Sequence, residues 1–119
     1  MAHYEDIRID QGADFAMELH LVEVDGSKKD LSSHSVAAKM KKNYNSTDAA
    51  DVITFQSIIA NPPQNGIVTL ELTNTQTDSL NYKKTYVYDV ELSFTDSDGN
   101  TIIERVIEGK AEITPSVTR

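Results

Sequence analysis

Tyr86-Val-Tyr-Asp-Val-Glu-Leu-Ser-Phe-Thr-Asp-Ser-Asp-Gly-Asn100 decides the fold class. Tyr86, Tyr88, Val90, Leu92 and Phe94 recur at every second position, while Asp89, Glu91, Ser93 and Thr95 fill the positions between them. A strand sends successive side chains to opposite faces, so this period packs one face and leaves the other in water. Asp98-Gly99 then provides a turn pair, and residues 102–113 return as a second long strand. The pattern specifies a scaffold firmly and carries no catalytic step.

The same alternation extends towards the N-terminus. Residues 5–10 place Ile7 and Ile9 on one side and predict a short first strand, punctuated by Gln11-Gly12. Phe15, Met17, Leu19 and Leu21 predict a second strand, closed by Asp25-Gly26, a pair that tolerates positive φ. Leu31 re-enters the core, and Val36, Ala38 and Met40 carry a third strand that ends near Tyr44. Residues 43–51 are polar and read as a loop. Residues 52–60 are rich in β-branched and aromatic side chains until Asn61-Pro62-Pro63 stops the run, because proline cannot donate a ladder hydrogen bond. Residues 67–73 form a fifth strand with Val68, Leu70 and Leu72 inward, and residues 74–79 form one helical turn that drops Leu80 onto the end of the core. That turn is too short to stand alone as a helix.

About seven strands separated by turn signals, with no helical stripe, predict an all-β chain folded as an immunoglobulin-like antiparallel β-sandwich, with a barrel as the alternative closure. The disulfide and tryptophan of antibody domains are missing, so the likeness is one of architecture. A hydroxyl of Tyr86 or Tyr88 bonded to backbone at the sandwich end, in the manner of a tyrosine corner, and an ordinary core aromatic are both compatible with these positions. At 119 residues the chain is one domain, 1–119, with short extended termini at 1–4 and 115–119.

Composition excludes several functions. A net charge of −8 repels phosphate backbones, which are held by lysine and arginine. Lys39 and Lys41 alternate with Val36, Ala38 and Met40 and therefore read as the solvent face of a strand rather than a nucleic-acid patch. Cysteine is absent, which removes disulfides and thiolate chemistry and suits a reducing cytosol. The N-terminus reads as untargeted, and no apolar run approaches the roughly 18 residues of a membrane span. No nucleic acid and no membrane are expected as partners.

The candidate chemical sites resolve into surface features. Asp96-Ser-Asp-Gly-Asn100 resembles the start of a calcium loop, but an EF-hand starting at Asp96 requires glycine at Thr101 and an acid at Ile107. The turn reading follows instead. His3, His20 and His34 lack zinc-site spacing, and His20 beside Glu18 reads as a surface pair rather than a general base with its orienter. No nucleophile elbow or phosphate-cradling glycine loop occurs. Asn45-Ser46-Thr47 matches a glycosylation sequon, which requires secretion to matter. No cofactor, metal or catalytic residue is expected.

Ile7-Arg-Ile-Asp-Gln-Gly-Ala-Asp-Phe15, Asp30-Leu-Ser-Ser-His-Ser-Val-Ala-Ala-Lys-Met-Lys-Lys-Asn-Tyr44, Tyr86-Val-Tyr-Asp-Val90 and Arg105-Val-Ile-Glu-Gly-Lys-Ala-Glu-Ile-Thr-Pro115 together resemble small virion proteins of tailed phages. The likeness is to the immunoglobulin-like N-terminal domain of baseplate upper proteins and to standalone virion proteins of marine and cyanobacterial phages. Ser33-His34 stands where such domains usually carry Gly-Tyr, and Ala37, Ala38 and Lys39 stand where they carry arginine or glutamine. The resemblance implies a non-enzymatic component of the tail, baseplate, neck or capsid surface, present in multiple copies, assembled in the host cytoplasm and docked on other virion proteins.

Sheet edges and extended ends suit that role, because both can add a strand to a neighbour. The expected interface residues are His3, Tyr4, Tyr44, Pro115 and Val117. A module that binds a host-surface carbohydrate or receptor is the alternative, with Tyr4, Tyr44 and Tyr82 as its aromatic platforms. An enzyme is the third option.

Overall fold

The computed structural model describes residues 3–45, 52–80, 83 and 85–117. The far part of the expected 43–51 loop, Ser46 and Thr47 of the sequon, Tyr82 and the outermost residues of both termini lie outside that range.

Two sheets face each other across one core. β1 (His3–Tyr4), β2 (Ile7–Asp10), β4 (Ser35–Lys41), β5 (Val52–Thr54), β8 (Thr85–Thr95) and β9 (Thr101–Thr114) form the larger sheet, and β3 (Phe15–His20), β6 (Gln56–Ile59) and β7 (Ile67–Leu72) form the smaller. In the larger sheet β9, β8, β4 and β5 follow one another in that order, and β1 and β2 both pair with the outer edge of β9. In the smaller sheet β7 lies between β3 and β6. Among the described residues these nine segments amount to seven passes of the chain, since β1–β2 and β5–β6 are each one interrupted run. The immunoglobulin-like sandwich is as the alternation predicts.

The apolar period becomes the core directly. Tyr86, Tyr88, Val90 and Leu92 of β8 are buried, and they face Val68, Leu70 and Leu72 of β7 with Ile9, Met40, Ile107 and Ile113 around them. Burying each such aliphatic side chain contributes about 1.5–3 kcal/mol, which is what holds the layers together.

Residues 52–60 differ from the single strand that their composition predicts. Val52–Thr54 pairs with β4 in the larger sheet, Gln56–Ile59 pairs with β7 in the smaller, and Phe55 is the pivot between them. The Phe55 ring is buried 6.1 Å from Phe15 and 6.4 Å from Tyr88, and its N–H donates to the Ala38 carbonyl at 3.0 Å. One aromatic side chain thus anchors the crossing of the chain from layer to layer.

The helical turn predicted after β7 is α1 (Asn74–Asp78), opened by a capping box between Thr73 and Gln76. Thr77 is fully buried; its Oγ1 accepts from the Gly12 N–H at 3.0 Å and donates towards the Ala13 carbonyl at 2.8 Å. Leu80 is buried behind it. The last hairpin turns through Asp96, whose carboxylate accepts from the N–H groups of Asp98 at 2.9 Å and Asn100 at 2.8 Å. Gly99 takes φ 84°, the left-handed conformation this three-residue hairpin loop demands.

One pairing departs from the antiparallel rule. β1 and β2 run parallel to β9, with His3 opposite Ile107, Tyr4 opposite Glu108, and Ile7 to Asp10 opposite Ala111 to Thr114. Residues His3 and Tyr4, expected in an extended terminal arm, are extended but held against β9.

Candidate docking surface

The N-terminal run meets β9 at a close crossing. The Glu5 carbonyl comes so near Gly109 that a Cβ added there would sit 1.9 Å from its oxygen, so only glycine fits. Tyr88, opposite Gly109 on β8, donates its hydroxyl to that same Glu5 carbonyl at 2.6 Å. Tyr88 thus makes a backbone-directed hydroxyl bond of the kind the sequence offers for Tyr86 or Tyr88, at the crossing rather than at the sandwich end. Burial, then the nearby Glu5, Asp6 and Tyr4, push the Tyr88 phenol well above its usual range. Asp6 completes the crossing by accepting from the Lys110 N–H at 3.0 Å, and the Glu5 N–H donates to the Glu108 carbonyl at 2.8 Å.

Below that crossing the situation changes. The partners of β9 on its outer side begin at Ile107, and among the described residues 101–106 pair with β8 alone. A register shift opposite Val90 and Glu91 makes Val106 an extra residue, a β-bulge. Inward positions on β9 are Ile113, Ala111, Gly109 and Ile107; without the bulge the next would be Arg105 and Ile103. The bulge reverses the phase, sets Arg105 opposite Glu91 and Ile103 opposite Ser93, and turns both outward. Ile103 is 63% exposed as a result.

A groove of about 480 Å³ runs beside this free edge, between residues 104–107 of β9 and residues 17–24 of β3 and its following turn. Val22 and Val24 are exposed on its rim. Lys29 ties the two walls together, with Nζ 3.5 Å from Glu23 and 3.3 Å from Glu104. Burial alone would lower the Lys29 pKa, but these carboxylates outweigh it and raise the value. His20 pairs with Glu18 at 3.5 Å on the exposed face of β3, a surface pair as expected but within one strand rather than across two.

The outer face of the larger sheet carries a second concavity of about 450 Å³. Tyr4, Glu108, Asp89 and Lys39 form a row across β1, β9, β8 and β4, and neighbouring rows add Arg105 and Lys41. Arg105 Nε lies 3.3 Å from Asp89 and its terminal nitrogen 3.3 Å from Glu108. Tyr44, 76% exposed, closes one end of the concavity. Partial desolvation followed by Asp6, Tyr44 and Glu108 raises the Tyr4 phenol, and the register sets Tyr4 beside Glu108 on the face that Tyr44 borders.

The five expected interface residues therefore divide. Tyr4 and Tyr44 share the outer face, and His3 lines the groove at the edge of β9. Pro115 and Val117 are exposed beyond Thr114, at the opposite end of β9 from residues 101–106. The free edge was missed by pattern reading. Its signal is Arg105 interrupting the inward apolar series of β9, which marks a bulge. His34 stacks on Phe94 with ring centroids 4.8 Å apart and Nδ1 2.9 Å from the Ser32 carbonyl, a contact that closes the sandwich end.

Among the described residues no cluster of His, Cys, Asp or Glu could hold a metal ion, and no helix is long and apolar enough to cross a membrane. No protein-family model matches the sequence, and no curated protein is significantly similar to it. Murine CRIg is one of 148 solved chains with a matching fold; it is 12% identical, with a TM-score of 0.53 over 92% of both chains. A fold shared so widely at such low identity establishes architecture and leaves function to the surface chemistry. What this chain has in common with CRIg is the immunoglobulin-like sandwich.

Proposed function

We propose that this protein is a non-enzymatic structural component of a tailed-phage virion, joining or decorating subunits of the tail, baseplate, neck or capsid in multiple copies. The observation that carries the reading is the outer edge of β9 at residues 101–106, which no strand covers among the described residues and which exposed apolar side chains flank. A sheet edge presents unpaired backbone groups, and an assembly protein can use them to add a strand from a neighbour. The sequence resemblance to phage virion proteins supplies the setting, with particle assembly in the host cytoplasm. The decisive experiment is quantitative mass spectrometry of purified particles. The expected result is this chain at a copy number matching capsid or tail symmetry, and its absence from intact particles overturns the proposal.

A second reading rests on a separate observation. Tyr4 and Tyr44 lie on one face beside a polar concavity lined by Lys39, Asp89, Glu91 and Arg105. Aromatic platforms with converging polar groups suit a carbohydrate- or receptor-binding module of the host surface. Saturable glycan binding by the whole chain, lost in Tyr44→Ala, favours this reading over the structural one.

A further inference from the structure

We propose that the free edge of β9 accepts an extended, basic segment of a partner protein as an added strand, seated in the groove between β9 and β3. The inference rests on the assembly reading for the identity of the partner, and on the geometry for the site and its chemistry.

Among the described residues no strand covers the outer backbone groups of residues 101–106. Asp96 and Asn100 form a hydrogen-bonded pair at the start of the hairpin, with the Asp96 N–H donating to the Asn100 carbonyl at 2.9 Å. In an antiparallel ladder such pairs alternate with pairs whose N–H and C=O point away from the partner strand. Counting along the register from that pair directs the backbone groups of Ile103 and Arg105 away from β8 and outward from the sheet. After the bulge the same outward direction passes to Glu108, where Glu5 already uses it. The chain thus demonstrates on the 107–114 half of this edge the interaction that residues 101–106 leave open.

Side chains set the chemistry of the occupant. An added strand turns alternate residues towards Met17 and Val22 on the opposite wall, which calls for apolar side chains at every second position. The remaining positions meet an acidic rim. Glu5, Glu18, Glu23 and Glu104 line the groove against Lys29 and Arg105, and both cations are already paired with carboxylates of this chain. Acids outnumber cations two to one there, and the whole chain carries −8. A second copy would bring the same acidic rim against this one, whereas a segment alternating valine or isoleucine with lysine or arginine complements it.

The test titrates the isotope-labelled full chain with two short acetylated peptides, one alternating valine with lysine and one alternating valine with glutamate. Expected is saturable binding of the basic peptide alone, with amide shifts and slowed hydrogen exchange at Ile103 and Arg105. Ile103→Pro removes an outward N–H at an edge position that tolerates proline and weakens binding about fivefold or more. Glu18→Lys weakens it about two- to fivefold, an effect that shrinks as salt is added. The mapping on the unmutated chain stands whether or not the proline variant folds.

Equal binding of both peptides, shifts confined to the Tyr4–Tyr44 face, or no binding overturns the inference. Self-association of the chain that Ile103→Pro abolishes also overturns it, by assigning the edge to a second copy. Basic-peptide binding by a chain absent from virions leaves the edge site standing and removes the virion reading; presence in virions without peptide binding does the reverse.

Discussion

The two halves of β9 obey different rules although they belong to one continuous strand, Thr101–Thr114. The 107–114 half lies between β8 and the parallel β1–β2 run, and its inward residues Ile107, Ala111 and Ile113 are buried. Among the described residues the 101–106 half pairs with β8 on one side and with no strand on the other, and Ile102 and Ile103 are exposed. What separates them is one bulge and one crossing of the N-terminal chain. The contrast teaches that burial along a strand is set by its neighbours and its phase, and not by the apolar content of its own residues.

Substitutions sharpen that contrast in order of size. Ile107→Ala removes a buried side chain from the closed half and is expected to cost about 2–4 kcal/mol of unfolding free energy, read by urea denaturation. The equivalent change in the open half, Ile103→Ala, should stay within about 0.5 kcal/mol. Comparable losses at both positions would mean that the open half is covered in solution.

Gly109→Ala attacks the crossing itself. The new Cβ must push the Glu5 carbonyl away, at about 1–3 kcal/mol, and slowed exchange should be lost at the amides of Glu5 and Lys110. If β1 detaches, the closed half becomes a second open edge, and exchange at Glu108 rises to match that of Ile103.

Tyr88→Phe tests the same crossing more gently, at about 1 kcal/mol for one hydrogen bond. Its pH signature is more specific. The folded protein holds the Tyr88 proton more tightly than the unfolded chain does, because burial and the nearby Glu5 and Asp6 raise the phenol above its usual 10.0. Stability from this group is therefore fully present below pH 10 and is lost as pH climbs from there towards the raised value. The phenylalanine variant should lose that alkaline decline, as measured by denaturation at stepped pH.

A small effect is likewise expected of Arg105→Ala. Its ion pairs with Asp89 and Glu108 are exposed, so the change should fall below about 1 kcal/mol and diminish further in salt.

Pattern reading reached much of this molecule. The phase of Tyr86, Tyr88, Val90 and Leu92, the helical turn before Leu80 and the Asp98-Gly99 hairpin each follow from local periodicity or turn chemistry, and each occurs at the expected place. Residues 52–60 show the limit. A run of β-branched residues predicts extended backbone, but the choice of sheet depends on where Phe55 finds a cavity, which is a property of the other strands. The interface residues show it again. Tyr4 and Tyr44 are far apart in sequence and share a face only because β1 lies along β9.

The amino-acid order by itself determined the all-β character and the inward face of each strand, since period-two apolar patterning fixes which side of the pleat is buried. It also determined the acidic surface, because charge is additive and independent of conformation. Only the tertiary structure decided that the first strands run parallel to the last, that Gly109 is required by a carbonyl from the far end of the chain, and that, among the described residues, 101–106 pair on one side only. Those features depend on which distant segments come to lie side by side, and no local pattern encodes a neighbour contributed by another part of the chain.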